Sequence, residues 1–232
     1  MYKAIRPGTF GKTVCADTRR VEFDWKNDTV LSMGVRPDAV FIGDSLTELW
    51  ELTAFFHKAA CLVNRGIGGD EMQYIAQRFE ADAVQLHPRC CVLLGGINDS
   101  WSLEYNPTQF TGGESPEALL ARVKGYFESV LDMAAQAKLP MAVCSLLPVN
   151  MPYKECDAAR NEYVCRLNEY LQQLCIQHDM LYVDYHSALV DDSGMRLRQE
   201  LAYEGLHVNA DGYKIMADIL KNALAKRYGI LL

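Results

Sequence analysis

VFIGDSLTELW, residues 40–50, contains a predicted strand, a turn and the start of a predicted helix. Its first three residues are apolar and rich in β-formers, which is typical of a buried strand. Gly43 breaks this run, and apolar residues then follow with helical spacing. Ser45 therefore stands between a strand and the positive end of a helix, where a nucleophile or an anion can be held. Ser45 and Glu48 also fit a capping box, which is a purely structural role.

The composition is that of one globular domain. Half of the 232 residues are apolar and 23% are charged, and the length suits a single large core. A net charge of −7 without a basic stripe argues against a nucleic-acid partner. No apolar run could span a bilayer, and the segment after Met1 lacks the apolar core of a signal peptide. We therefore expect a cytoplasmic protein without a membrane span, whose eight cysteines are free.

Strand-like apolar runs alternate with helical patterns along the chain. The predicted strands cover 39–42, 61–63, 90–94, 141–146 and 181–183. The helical patterns cover 46–56, 71–79, 118–137, 158–177 and 211–228. Near-continuous apolar strands that alternate with helices form a mostly parallel sheet with helices on both faces. This predicts one α/β domain over 1–232, in which residues 1–38 form an N-terminal arm and a helix packed on it.

Polar and glycine-rich residues gather where the predicted strands end. Ser45 follows the first strand, Gly69 the second and Asn98 the third, while Glu204 and His207 come just before the last helix. Ligands of open parallel sheets bind beyond the carboxyl ends of the strands, so we expect these residues to meet. A serine nucleophile needs a histidine base, and the histidine needs a carboxylate. Ser45, His207 and Glu204 suit these roles, and Ser45, Gly69 and Asn98 suit an oxyanion hole.

Four blocks of the sequence resemble those of the GDSL or SGNH hydrolase family. They are GDSL at 43–46, NRGIGGD at 64–70, GIND at 96–99 and EGLH at 204–207. Residues 64–70 and 206–213 are similar to the branch with platelet-activating-factor acetylhydrolase-like and carbohydrate O-acetylesterase-like members. The resemblance implies a three-layer α/β/α sandwich with a five-stranded parallel, flavodoxin-like sheet. It also implies metal-free ester hydrolysis through Ser45, Gly69, Asn98 and His207.

The acid departs from the family pattern, which has aspartate three residues before the histidine. Glu204 is one methylene longer, although Ser-His-Glu triads exist on other folds. Asp184, at the end of the fifth strand, is the reserve acid, and its alternative role is a structural cap. His186 is the rival base, and its alternative is a solvated loop histidine. No metal-ligand spacing occurs, so we expect no metal and no cofactor.

Residues near the strand ends are candidates for the substrate pocket. They are Asp44, Leu46, Trp101, Tyr105 and Tyr153. An aromatic wall at this end of the sheet would favour acetyl or other short acyl groups. The predicted function is a serine esterase for a small-molecule ester, and its alternative is a non-catalytic flavodoxin-like module that binds a small ligand. The N-terminal segment with Trp25 packs either on its own domain or on a second copy in a homodimer.

Overall fold

A five-stranded, all-parallel sheet forms the centre of the computed structural model, which describes residues 4–59, 61–108, 112–152 and 155–232. The strands are β1 (Ala39–Gly43), β2 (Leu62–Gly66), β3 (Cys91–Leu94), β4 (Met141–Cys144) and β5 (Leu181–Val183). Their order is β2-β1-β3-β4-β5, and each neighbouring pair is parallel. The predicted strands are confirmed, with ends that shift by a few residues.

One α-helix precedes the first strand, and the other α-helices of the described residues lie between and after the strands. They are α1 (Arg20–Ser32), α2 (Ser45–Glu48), α3 (Leu52–Phe55), α4 (Met72–Asp82), α5 (Pro116–Gln136), α6 (Asp157–Gln177), α7 (His186–Leu189) and α8 (Ala210–Tyr228). Short 3₁₀ helices cover Cys15–Thr18, Val84–Leu86, Asn98–Leu103 and Gln199–Leu201. Ser115 and Asn209 cap α5 and α8 with their side chains. Among the described residues, none of these helices combines the length and the apolar character needed to cross a membrane.

Helices cover both faces of the sheet. Val40 and Val143 belong to the core that packs against α4, α5 and α6. Phe41 and Val92 belong to the opposite core, which packs against α8 and the short helices α2, α3 and α7. Residues alternate between the two cores because successive strand side chains point to opposite faces. The predicted three-layer α/β/α sandwich is confirmed.

The strand order reverses beside β1. The chain runs from β1 to the edge strand β2 and then returns to β3 on the other side of β1. Such a reversal opens a crevice beyond the carboxyl ends of the strands that flank it. Ser45 follows β1 and Asn98 follows β3, so the topology directs both residues to this crevice.

The helix predicted over 46–56 is broken into α2 and α3, so that prediction is wrong. The side chain of Asn64 on β2 donates to the carbonyl oxygens of Thr47 at 2.8 Å and Trp50 at 3.4 Å. Carbonyl groups bound in this way need no partner from a continuing helix. The Trp50 ring packs instead in the core, with its centroid 5.2 Å from that of Tyr213.

The eight cysteines are free thiols, as predicted. Cys90, Cys91, Cys144 and Cys175 are buried. Burial raises the pKa of the Cys90 and Cys144 thiols to about 12, so both stay protonated at neutral pH. They serve as small apolar residues of the core.

Candidate active site

Three side chains from distant parts of the sequence meet at the carboxyl end of the sheet. Ser45 is the first residue of α2, and His207 lies in the loop before α8. Ser45 Oγ is 2.8 Å from His207 Nε2, which is hydrogen-bond distance. Glu204 Oε1 contacts the other ring nitrogen, Nδ1, and accepts the His207 backbone N–H at 3.3 Å. The arrangement suits a nucleophile, a base and an acid that orients the base.

Asp184 and His186, the reserve candidates, make other contacts. Asp184 lies just before α7, where its carboxylate accepts the Ser187 N–H at 3.0 Å and the Ser187 hydroxyl at 2.6 Å. His186 Nε2 lies 3.8 Å from Cys165 Sγ, and burial lowers the pKa of this imidazole. The geometry therefore places Glu204 beside His207 and leaves Asp184 with a structural role at the strand end, in contact with Ser187.

Asp44, and not Ser45, caps the helix that starts at the serine. Asp44 Oδ1 accepts the backbone N–H of Leu46 at 2.9 Å, and its own backbone is extended. The alternative role of Ser45 and Glu48 as a capping box is therefore not what the structure contains. Because the aspartate before it caps the helix, the Ser45 hydroxyl is available to His207.

Two further loops bring candidate oxyanion donors to the serine. Gly69 has a φ of +76°. The residue before it, Gly68, lies close to the serine, since a Cβ built on Gly68 would be 3.8 Å from Ser45 Cβ. Asn98 Nδ2 donates to the Asp70 carbonyl oxygen at 3.0 Å, which holds the amide next to this glycine loop. The amide keeps a second N–H for another acceptor. In the described part of the chain, the backbone N–H groups of Ser45 and Gly69 have no acceptor.

Three buried aspartates stand in the loops that follow β1, β2 and β3. Desolvation raises the pKa of Asp44 and Asp99 to about 7 and that of Asp70 to about 6. Asp70 pairs with Arg78 at 2.8 Å, and Asp99 pairs with Arg122 at 3.1 Å. Asp44 Oδ2 has no hydrogen-bond partner among the described residues. Within these residues, no group of three or more His, Cys, Asp or Glu side chains could hold a metal ion.

Arg78 joins two loops of the site, and we did not anticipate this role from the sequence. Its fully buried guanidinium donates to Asp70 Oδ2 at 2.8 Å, to the Arg65 carbonyl oxygen at 2.9 Å and to the Gly43 carbonyl oxygen at 3.0 Å. It therefore ties the turn before the serine to the glycine loop. The available signal was an arginine on the apolar face of α4, next to the buried Phe79.

Two of the predicted pocket residues line a cavity beside Asn98. Trp101 and Tyr105 form part of its wall, and its volume is about 530 Å³. The indole N–H of Trp101 donates to Asn98 Oδ1 at 3.2 Å. A second cavity of about 380 Å³, with Tyr203 in its wall, adjoins Glu204. Each of the two cavities therefore adjoins one residue of the candidate site, Asn98 or Glu204.

Asp44 and Leu46, two further pocket candidates, do not line these cavities. Asp44 is fully buried, and Leu46 is 1% exposed in the core beside α8. Neither side chain can contact a substrate without a rearrangement, so the prediction that they line the pocket is wrong. Tyr153 lies outside the described residues.

Solved structures share this fold. A Bacteroides fragilis protein described as an acylhydrolase superposes with a TM-score of 0.74 at 23% identity, covering 93% of this chain and 99% of that one. A GDSL-like lipase from Bacteroides thetaiotaomicron gives 0.70 at 23% identity, over 88% and 98% of the two chains. An acetyl-xylooligosaccharide esterase from a Geobacillus species gives 0.63 at 19% identity, over 81% and 94%.

The sequence itself identifies the family. No curated protein matches the chain. The model of the GDSL-like lipase/acylhydrolase family, however, matches residues 41–215, which is well over half of the chain and includes Ser45, Gly69, Asn98 and His207. The resemblance seen in the four sequence blocks is thereby confirmed. The chain belongs to the GDSL-like lipase/acylhydrolase family and is a hydrolase.

Proposed function

We propose that the protein is a serine esterase that hydrolyses short-chain acyl esters, in particular acetyl esters, through an acyl-enzyme on Ser45. The observation that carries the proposal is the 2.8 Å contact between Ser45 Oγ and His207 Nε2, with Glu204 at the opposite ring nitrogen. A serine hydroxyl is a weak nucleophile by itself, and a base at this distance can accept its proton. A passive anion site at the start of α2 would need neither the histidine nor the glutamate.

Acylation begins when Ser45 Oγ attacks the ester carbonyl carbon and His207 Nε2 takes the hydroxyl proton. The carbonyl electron pair moves onto oxygen, and the resulting oxyanion accepts hydrogen bonds from the backbone N–H groups of Ser45 and Gly69 and from the Asn98 amide. Glu204 stabilises the imidazolium that has formed. The intermediate then expels the alcohol oxygen, which receives the proton from His207, and the acyl group remains on Ser45.

Deacylation reverses the roles with water in place of the alcohol. The water oxygen attacks the acyl carbon while His207 Nε2 takes a proton from this water. The second oxyanion uses the same donors, because its oxygen occupies the same position. Its collapse breaks the bond to Ser45 Oγ, which regains a proton from the imidazolium, and the carboxylic acid leaves.

The preference for short acyl groups rests on two observations. Trp101 and Tyr105 give the cavity beside Asn98 an aromatic wall, against which a small acyl group can pack. The fold is also similar to that of an acetyl-xylooligosaccharide esterase and an acetyl xylan esterase. These proteins make acetylated sugars the first substrates to try.

Hydrolysis of p-nitrophenyl acetate by the wild type and by Ser45→Ala tests the proposal. We expect the variant to lose about 10⁴-fold or more in kcat. Its unfolding midpoint should match that of the wild type, since the hydroxyl does not cap α2. A series of longer p-nitrophenyl esters should show falling kcat/KM. Undiminished turnover by Ser45→Ala would refute the serine mechanism, and a preference for long chains would refute the acetyl assignment.

A further inference from the structure

Glu48 and Arg19 bind the backbone of residues 66–68, in the loop that leads to Gly69. Glu48 is the last residue of α2, and its Oε2 accepts the Gly68 N–H at 2.5 Å. Its other oxygen, Oε1, lies 3.2 Å from Arg19 Nη1. The same Nη1 donates to the Gly66 carbonyl oxygen at 2.9 Å. The ion pair therefore binds this loop at two backbone groups, one on each side of Ile67.

The candidate oxyanion donor at Gly69 belongs to the central peptide of a β-turn. Asp70 N–H donates to the Ile67 carbonyl oxygen at 3.1 Å and closes the turn. Gly69 is the third residue of this turn, and its φ of +76° is that of a type II turn. In a type I turn the central peptide is flipped, so the Gly69 N–H would point the opposite way. Gly68 and Gly69 both lack a Cβ, so the turn sequence alone selects neither orientation.

We infer, given the esterase proposed above, that Glu48 is a positioning residue that fixes the direction of the Gly69 N–H. The bond from the Gly68 N–H to the Glu48 carboxylate is charge-assisted, and such bonds are about twice as strong as neutral ones. It anchors the residue directly before the peptide that would have to flip. Arg19 in turn keeps the carboxylate in place, because it binds both Glu48 and the loop backbone.

The N-terminal segment takes part in this arrangement. A Cβ built on Gly69 would lie 2.8 Å from Cys15 Sγ, so the 3₁₀ helix Cys15–Thr18 packs directly against the turn. Arg19 follows that helix and precedes the residues that the family model matches, 41–215. The oxyanion turn is thus supported by a part of the chain outside the matched region.

Positioning and simple stabilisation make different predictions. A clamp that only holds the fold together would lower the unfolding midpoint and leave the kcat of folded enzyme unchanged. A residue that directs an oxyanion donor lowers kcat and leaves KM nearly unchanged, because the donor acts on the transition state more than on the bound ester.

Kinetics of Glu48→Ala with p-nitrophenyl acetate test the inference. Removal of a whole oxyanion donor costs about 10²–10³-fold in kcat, so a misdirected donor should cost about 10- to 100-fold. Glu48→Gln keeps an acceptor for the Gly68 N–H and should recover most of the activity. Glu51→Ala is the matched control, since the exposed Glu51 carboxylate accepts only from the Thr53 hydroxyl within the described residues. It should keep wild-type kinetics.

Amide hydrogen exchange of the peptide that contains residues 64–71 gives a second measurement, which needs no turnover. Exchange should be faster in Glu48→Ala than in the wild type and unchanged in Glu51→Ala. If Glu48→Ala does not fold, Arg19→Gln should show the same faster exchange and a fall in kcat of about threefold or more. Normal exchange and normal kcat in the folded variants would overturn the inference. A wild type that hydrolyses no ester would refute the esterase, while the exchange would still report whether Glu48 fixes the turn.

Discussion

Glu204→Gln tests the acid behind His207, and Asp184→Asn is its matched control. Each variant replaces a carboxylate by an amide of the same shape. In the wild type, the Glu204 carboxylate favours the tautomer in which His207 Nδ1 carries the proton and donates a hydrogen bond to it, so that Nε2 is free to accept the Ser45 proton. An amide at 204 can instead donate to Nδ1. The proton then moves to Nε2, and the imidazole is in the wrong tautomer to act as a base.

The exposure of Glu204 sets the expected size of the effect. In a serine protease with a buried aspartate, this change of acid to amide costs about 10⁴-fold in kcat. The Glu204 side chain is 52% exposed, so water screens its stabilisation of the imidazolium. Water does not reduce the effect of the wrong tautomer, because that effect depends on which nitrogen carries the proton and not on charge. We therefore expect a fall of about 10²–10³-fold in kcat, which corresponds to about 3–4 kcal/mol in activation free energy.

Steady-state kinetics with p-nitrophenyl acetate measure the effect. Asp184→Asn should keep kcat within about twofold of the wild type, because the contacts of Asp184 are with Ser187 and not with the histidine. Equal unfolding midpoints would show that both variants are folded. A large loss in Asp184→Asn together with a normal Glu204→Gln would refute the assignment of the acid.

Three further changes test the loops around the serine. Asn98→Ala removes a candidate donor, and the same assay should show a fall in kcat of about 10²–10³-fold with little change in KM. Gly69→Ala would bring a Cβ within 2.8 Å of Cys15 Sγ at a φ of +76°, so we expect both a lower thermal midpoint and a fall in kcat of about tenfold or more. Asp44→Asn removes a carboxyl whose pKa burial raises to about 7. Ionisation of this buried group lowers the free energy of unfolding of the wild type as the pH rises from about 4 to 7. The variant has no such group, so its stability relative to the wild type should increase over that range, by a few kcal/mol in urea unfolding.

Each of these predictions has a contradicting result. An increase in KM alone for Asn98→Ala would show a role in substrate binding and not in the oxyanion hole. Normal kcat for Gly69→Ala would show that the turn tolerates a side chain there. For Asp44→Asn, a stability difference from the wild type that does not change with pH would contradict the raised pKa of the carboxyl.

The sheet could be predicted because its inner strands, β1, β3 and β4, are apolar on both faces, a pattern that the core requires. The ends of the elements could not. The strand predicted over 141–146 ends at Cys144, because the side chain of Asn168 on α6 binds the Leu146 N–H at 2.8 Å and its carbonyl oxygen at 3.0 Å. Asn64 breaks the helix after Ser45 in the same way. In both cases a side chain from a distant element forms hydrogen bonds with backbone groups, and the local hydrophobic periodicity does not indicate these bonds.

The chemistry of the site could be predicted from residue types and their positions after the strands. Ser45 and His207 are far apart in the sequence, yet parallel strands bring their loops to one edge of the sheet. The supporting contacts could not be predicted, because they depend on which side chain reaches which loop. Asp44 caps the helix in place of Ser45, and Glu48 binds Gly68 and not its own helix start.

Covalent labelling by a fluorophosphonate is the most direct test of the claim that Ser45 is an activated nucleophile. Mass spectrometry of the tagged peptide identifies the residue that reacts. We expect one label on Ser45, no label in Ser45→Ala, and much slower labelling in His207→Ala, in which the hydroxyl has no base. Failure of the wild type to react at high reagent concentration, or a label that persists in Ser45→Ala, would contradict the claim.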